Sequence, residues 1–216
     1  MLLLWERSEL TGGFRLFAND VVIDGLKIVE GTGPAGVGDK TAVFMTAGTT
    51  GHTIENNILV GPGIGVASRA VLSTFNGNND NITIQNNEIY NWFGGIFNQG
   101  NTNVDVFGNN FHNMFAGVSN DFVTDVSIEG NAFSHLVEGV GVFNNISNGI
   151  PDVAAHNNSF DSVTLINPIA HYGGDTVDAS GNWWGITDET QIANSMMSNG
   201  VDGNVSKVDF TSFLND

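Results

Sequence analysis

Asn81-Ile82-Thr83-Ile84-Gln85-Asn86-Asn87-Glu88-Ile89 is answered by Asn103-Val104-Asp105-Val106-Phe107-Gly108-Asn109-Asn110-Phe111, and again by Asp125-Val126-Ser127-Ile128-Glu129-Gly130-Asn131-Ala132-Phe133. The step from Asn87 to Asn109 to Asn131 is 22 residues each time, and a fixed period of that size marks a chain built by stacking repeats. Within each copy apolar residues alternate: Ile82 with Ile84, Val104 with Val106, Val126 with Ile128. That is the two-residue period of a strand burying one face.

The sixth place of the copy is Asn86, Gly108 or Gly130. These residue types enter the left-handed backbone region at low cost, so a sharp corner belongs there. The seventh place is always Asn, and the ninth is large and apolar (Ile89, Phe111, Phe133). Further on, Gly95-Ile96, Gly117-Val118 and Gly139-Val140 recur in step and supply a third short strand. Three short strands, one tight corner and inward apolar residues at matching places describe one coil of a parallel β-helix. Coils stack at the strand spacing of about 4.7–4.9 Å, so matching residues form ladders along the axis. The Asn residues should bond to one another and to the turn backbone, with Phe rings stacked beside them in the core.

The template makes imperfect copies readable. Thr53-Ile54-Glu55-Asn56-Asn57-Ile58-Leu59 lies one coil earlier, and Val22-Ile23-Asp24-Gly25-Leu26-Lys27-Ile28 one earlier still, with Leu26 interrupting the Asn ladder. Downstream, Asp152 to Phe160 and Val177 to Trp184 continue it, so the ladder reads Asn57, Asn87, Asn109, Asn131, Asn158, Asn182. The whole chain reads as one domain: a partial first coil over 1–18, regular coils over 19–185 and a C-terminal cap over 186–216. Because nothing caps the first coil, the reading expects either a longer parent protein or Met1–Trp5 covering the end itself, and, where the edge is bare, an end-to-end homodimer. Gly-rich stretches at Gly31–Lys40 and Gly61–Arg69 lengthen their coils by about eight residues and read as loops on one side. A further loop is expected at Phe143–Pro151, and residues 161–176 are irregular. Thr187 ahead of Asp188 and Glu189 reads as a helix N-cap. Ile192, Ala193, Met196 and Met197 give that helix an apolar face, Gly200 a stop, and Val205 to Leu214 a weakly alternating segment folding back.

Six Lys plus Arg stand against 23 Asp plus Glu, a formal charge of −17. No basic stripe could neutralise phosphates, so nucleic acid is excluded as a partner. A polyanionic substrate is disfavoured unless a divalent cation such as calcium intervenes. There is no Cys and no apolar run long enough to insert in a membrane. Met1 to Trp5 is too short for a secretory signal.

The Asn ladder, the Gly-Ile/Val third strand and the ending Gly181-Asn182-Trp183-Trp184-Gly185 with Thr187-Asp188-Glu189 and Val208-Asp209-Phe210 resemble the right-handed parallel β-helix superfamily of pectate-lyase-like proteins. The resemblance spans about residues 14–185. It implies an all-β, right-handed, single-stranded parallel β-helix, here of about seven coils and roughly 35 Å, with a short C-terminal capping helix. It also implies an extracellular or cell-surface setting and polysaccharide or cell-surface glycan as partner, but the fold does not settle the activity.

In enzymes of that resemblance the substrate lies along the outer face of the third strand. Hydrolases there need two carboxyls across one bond, yet at the corresponding places, Gly94-Gly95, Ala116-Gly117 and Glu138-Gly139, only Glu138 is acidic. A lyase wants a basic residue near carboxylates holding calcium, for which Arg69 and Lys40, both placed in the Gly-rich loops, are the candidates. Phe44, Leu72 and Phe97, followed by Ser119 and Gly141, run along this outer face and could stack sugar rings or lie beneath the long loops. Asn98, Asn120 and Asp121 stand at the next corner, where they could meet hydroxyls or a cation or simply serve the turn. His171 and Tyr172, with Asp175, mix a base, a phenol and an acid, but neighbouring strand residues face opposite ways. His52, His112, His135 and His156 are scattered, so no zinc or copper site is expected. The outer face of the alternating strand carries Glu55, Gln85, Phe107, Glu129 and His156 beside Thr53, Thr83, Asp105, Ser127, Ala154 and Asp178, and reads as a solvated sheet. With no complete catalytic set, the reading is a surface module that binds carbohydrate or acts as a rigid spacer, the alternative being a pectate-lyase-like lyase or a glycoside hydrolase, or a fragment of one.

Overall fold

The computed structural model describes residues 7–30, 40–74, 77–143, 153–161, 167–171, 176–198 and 208–211. The chain winds as a parallel β-helix, and every paired strand is parallel to its neighbour one coil away. The alternating strands form one sheet of eight, from Val22–Asp24 to Val208–Asp209. The short strands after the corner and the third strands form a second, bent sheet. In the two most regular coils these last two strands merge into single runs, Asn110–Asp121 and Ala132–Phe143, bent where Asn113 and His135 take φ of 53° and 56°.

About five full turns are present, against the seven expected: coils starting at Val22, Thr53, Asp80, Thr102 and Thr124 carry all three strands at three residues or more. In the next two the corner strand shrinks to Ser159–Phe160 and then to a bridge at Trp183. The last coil gives its space to the helix Glu189–Ser195. That helix begins one residue later than expected: Asp188, not Thr187, is the N-cap, and its side chain accepts the Gln191 N–H at 3.0 Å. It also ends early, at Met196, after burying Ile192 in the core, and Gly200 lies outside the described residues. Of the segment expected to fold back, Val208–Asp209 adds one more rung to the alternating sheet by pairing with Val177 and Asp178.

The corner chemistry is as the repeat demands. Asn86, Gly108 and Gly130 have φ of 55°, 64° and 63°. Behind them the ladder runs unbroken: each Asn backbone N–H and side-chain amide donates to the Oδ1 of the next, from Asn57 through Asn87, Asn109, Asn131 and Asn158 to Asn182, at 2.7–3.1 Å. Leu26, where the ladder is interrupted, still donates its N–H to Asn57 Oδ1. Inside lies the ring stack Phe111–Phe133–Phe160–Trp184, with centroids 4.9–5.0 Å apart and planes within 10°.

Two glycines of the repeat serve different ends. At Gly130 a Cβ would meet nothing within 4 Å, and Asn holds the same corner at Asn86, so Gly130→Asn should leave stability within about 0.5 kcal/mol. At Gly117 a Cβ would lie 2.6 Å from the Gly139 carbonyl oxygen and 2.7 Å from the Phe133 ring. Gly117→Ala should therefore cost about 1–3 kcal/mol by overpacking. Urea unfolding of the two variants separates the roles, and equal midpoints would refute the distinction.

A second buried polar line, unforeseen from the repeat, fills the opposite corner. Asn79 donates to Thr49 Oγ1 at 2.7 Å and takes no part in the main ladder, while its N–H donates to Asn101 Oδ1. His52 is fully buried there, with Nε2 2.8 Å from Thr49 Oγ1. Burial holds the imidazole pKa below its ordinary value of 6.5, with Asp20 opposing weakly. A depressed histidine pKa means the unfolded chain takes up the proton first. The stability His52 contributes is thus complete above about pH 6.5 and lost as pH falls below it. His52→Gln should flatten that part of the pH dependence; identical profiles for both proteins between pH 7 and 5 would count against it.

Candidate functional site

The third-strand face assembles the row read from sequence. Register pairs Phe44 with Leu72, Leu72 with Phe97, Phe97 with Ser119 and Ser119 with Gly141. Ahead of Phe44 the row begins with Arg15. Phe44 and Leu72 are only 5% and 7% exposed, and guanidinium groups lie on the rings. Arg15 Cζ sits 5.3 Å from the Phe44 ring centre and 4.9 Å from that of Phe17, itself 71% exposed. Arg69 Cζ lies 5.0 Å from both Phe93 and Phe97, and Phe93 stacks on Phe115 at 4.9 Å.

Arg69 is thus no loop residue. It belongs to the strand Ser68–Ser73, as Lys40 belongs to Lys40–Met45, because both strands extend to pair with each other. Gly94 makes room for it: a Cβ there would fall 2.8 Å from Arg69 Cδ. Arg69, Gly94, Ala116 and Glu138 form one register row. Glu138 is 8% exposed, and its Oε2 lies over Gly141, 3.7 Å from where a Cβ would stand.

The next-corner candidates turn the other way. Asn98 and Asn120 are 2% and 0% exposed, since alternation from Ile96 and Val118 points them into the coil. Their amides are spent on each other and the backbone: Asn98 donates to Asn120 Oδ1, Asn120 to the Gly141 carbonyl, and Asn101 to Asn98 Oδ1. They are a structural ladder, not ligand contacts. Asp121 accepts from Gln99 Nε2 at 3.1 Å and is 8% exposed. His171 occupies the same inward row, beside Val142, and is 1% exposed, so it does not face the outer surface. Tyr172 and Asp175 lie outside the described residues. Of the other histidines, His112 stacks on Tyr90 at 4.8 Å with Nε2 3.3 Å from Glu88. Among the described residues no three His, Asp or Glu gather as metal ligands.

No family model, curated protein or solved structure matches the chain.

The site therefore stands on its own geometry: a strip of rings (Phe17, Phe44, Phe93, Phe97, Phe115) crossed by two guanidinium groups on a chain otherwise dominated by acids. Phe17 is exposed and Phe93, Phe97 and Phe115 are half-buried, so these rings leave apolar surface for a ring-shaped ligand beside the guanidinium groups, while Phe44 and Leu72 are buried. Arg15, Phe17, Phe93 and Phe115 are not among the residues the sequence singles out. Phe93 and Phe115 do carry a signal, being 22 residues apart at the same place of the repeat. Arg15 requires the pairing of Phe14–Leu16 with the strand holding Phe44.

Proposed function

We propose that this chain is a pectate-lyase-like β-helix module of the cell exterior that binds carbohydrate along the outer face of its third strand. The observation that supports the reading is the strip of rings left exposed or half-buried on this face, Phe17, Phe93, Phe97 and Phe115, with the Arg15 and Arg69 guanidinium groups beside them. Sugar rings stack on aromatic faces, and guanidinium donors suit hydroxyl or carboxylate oxygens. A glycan array followed by calorimetry tests it. Phe17→Ala and Phe97→Ala should each weaken the best glycan about tenfold, the loss of one stacking contact of about 1.4 kcal/mol. Failure of every neutral and acidic glycan to bind would leave a rigid spacer.

A second reading, lyase or hydrolase, rests on Glu138, whose carboxylate lies over Gly141 on the same face. New reducing ends or unsaturated sugars, released with or without added calcium and lost in Glu138→Gln, would establish it. Intact polysaccharide after incubation would remove it.

A further inference from the structure

The eight-stranded sheet carries a different grouping on the other side of the coil. Its ladder sets Glu129 beside His156 and Ala154 beside Asp178, which brings His156, Asp178 and Ser180 together on two adjacent rungs. His156 Nδ1 lies 3.2 Å from Ser180 Oγ and 3.3 Å from the Ser180 carbonyl oxygen. Its Nε2 lies 3.6 Å from Asp178 Oδ2. The other carboxylate oxygen of Asp178 accepts the Ser180 N–H at 3.2 Å, so one carboxylate steadies both the serine backbone and the far side of the imidazole. The His156 and Asp178 side chains are 32% and 40% exposed, open to a ligand. Gly181 follows the serine at a corner with φ of 70°, and its N–H closes no hydrogen bond among the described residues. A hydroxyl, a base within reach of it, an acid on the base's other nitrogen and a backbone donor at the next residue are the parts of acyl transfer.

We propose that Ser180, His156 and Asp178 form a nucleophilic site that hydrolyses small uncharged carboxylic esters. With its ring proton on Nε2, facing Asp178 Oδ2, His156 presents a bare Nδ1. Ser180 Oγ attacks the carbonyl carbon as its proton passes to that nitrogen, and the carbonyl π pair moves onto oxygen, toward the Gly181 N–H. The tetrahedral adduct re-forms the carbonyl and breaks the bond to the alcohol oxygen, which takes the proton from Nδ1 and leaves as the alcohol. Water then attacks the acyl-serine by the same route, yielding the carboxylic acid and restoring Ser180. Asp178 Oδ2 stabilises the transient imidazolium through Nε2. The rest of the ester extends over the adjacent rungs, where Asp105, Phe107, Ser127 and Glu129 line a cavity of about 530 Å³. Those carboxylates and the charge of −17 turn away anionic esters.

The test uses the full chain with 4-nitrophenyl acetate as substrate and a fluorophosphonate as covalent probe. Wild type should hydrolyse the ester saturably and carry one label, located by mass spectrometry on Ser180. Ser180→Ala should lose the label, and kcat/KM should fall about 100-fold or more there and in His156→Gln. Asp178→Asn should fall by less. Thermal melts should be unchanged, because the His156 and Asp178 side chains are 32% and 40% exposed and Ser180 is only half-buried. Absence of label from Ser180, or hydrolysis undiminished in Ser180→Ala, overturns the proposal. If Ser180→Ala melts early, His156→Gln decides: a label lost with the melt intact supports the site, and a label retained refutes it.

Discussion

Asn109→Ala should lower the unfolding free energy by about 4 kcal/mol, while Asn110→Ala, one residue away, should change it by no more than about 0.5 kcal/mol. Asn110 is exposed, but Asn109 is 2% exposed and serves both neighbouring coils. Its Oδ1 accepts the backbone and side-chain N–H of Asn87 at 2.9 and 3.0 Å. Its Nδ2 donates to the Ile84 and Phe107 carbonyls and to Asn131 Oδ1. Truncation strands two donors of Asn87 in the interior, each costing about 1–3 kcal/mol when left without a partner. Asn109→Asp sharpens the test. It keeps the acceptor but sets a carboxylate oxygen against the carbonyl of Ile84, so it should be at least as damaging as alanine. Urea unfolding of the three variants is the measurement. An aspartate variant as stable as wild type would mean the ladder is not held by its directional bonds.

Phe133→Ala should cost a similar amount, about 3–5 kcal/mol. Phe133 is 1% exposed and lies between Phe111 at 5.0 Å and Phe160 at 4.9 Å. Its removal leaves a void that stacked backbones on either side cannot close, and it ends two ring contacts worth about 0.5–1.5 kcal/mol each. The ring also explains the glycine above it, since a Cβ on Gly117 would press on the Phe133 edge. In a Phe133→Leu background the penalty of Gly117→Ala should therefore shrink, though the clash with the Gly139 carbonyl remains. A double-mutant cycle by urea unfolding measures that coupling. Strict additivity would show that the ring and the glycine are independent.

Asn109 and Phe133 are both positions that the repeat alone picks out. The ladder and the stack follow from a fixed 22-residue period, because parallel coils in register place every residue over its own equivalent. The candidate site is half legible for the same reason. Phe44, Leu72 and Phe97 fall in one row because the repeat makes them equivalent. The inward turn of Asn98 and Asn120 follows from counting alternation from Ile96 and Val118, but Asn near a corner is also a turn former, and residue type there points the wrong way. His171 misleads likewise: a histidine suggests chemistry, yet its row is that of Val142.

By itself, then, the sequence determined the coil, its corner, its two stacked interiors and the orientation of its sheets, all of which depend on period and on side-chain types that tolerate only one environment. Only the tertiary structure decided what lies on the outside. Arg15 and Arg69 reach over rings a whole coil away. Ser180 meets His156 across 24 residues, and the helix takes over part of the last coil. Long flexible side chains and non-repeating insertions obey no period, so their partners are set by which surfaces the stacked coils bring within reach.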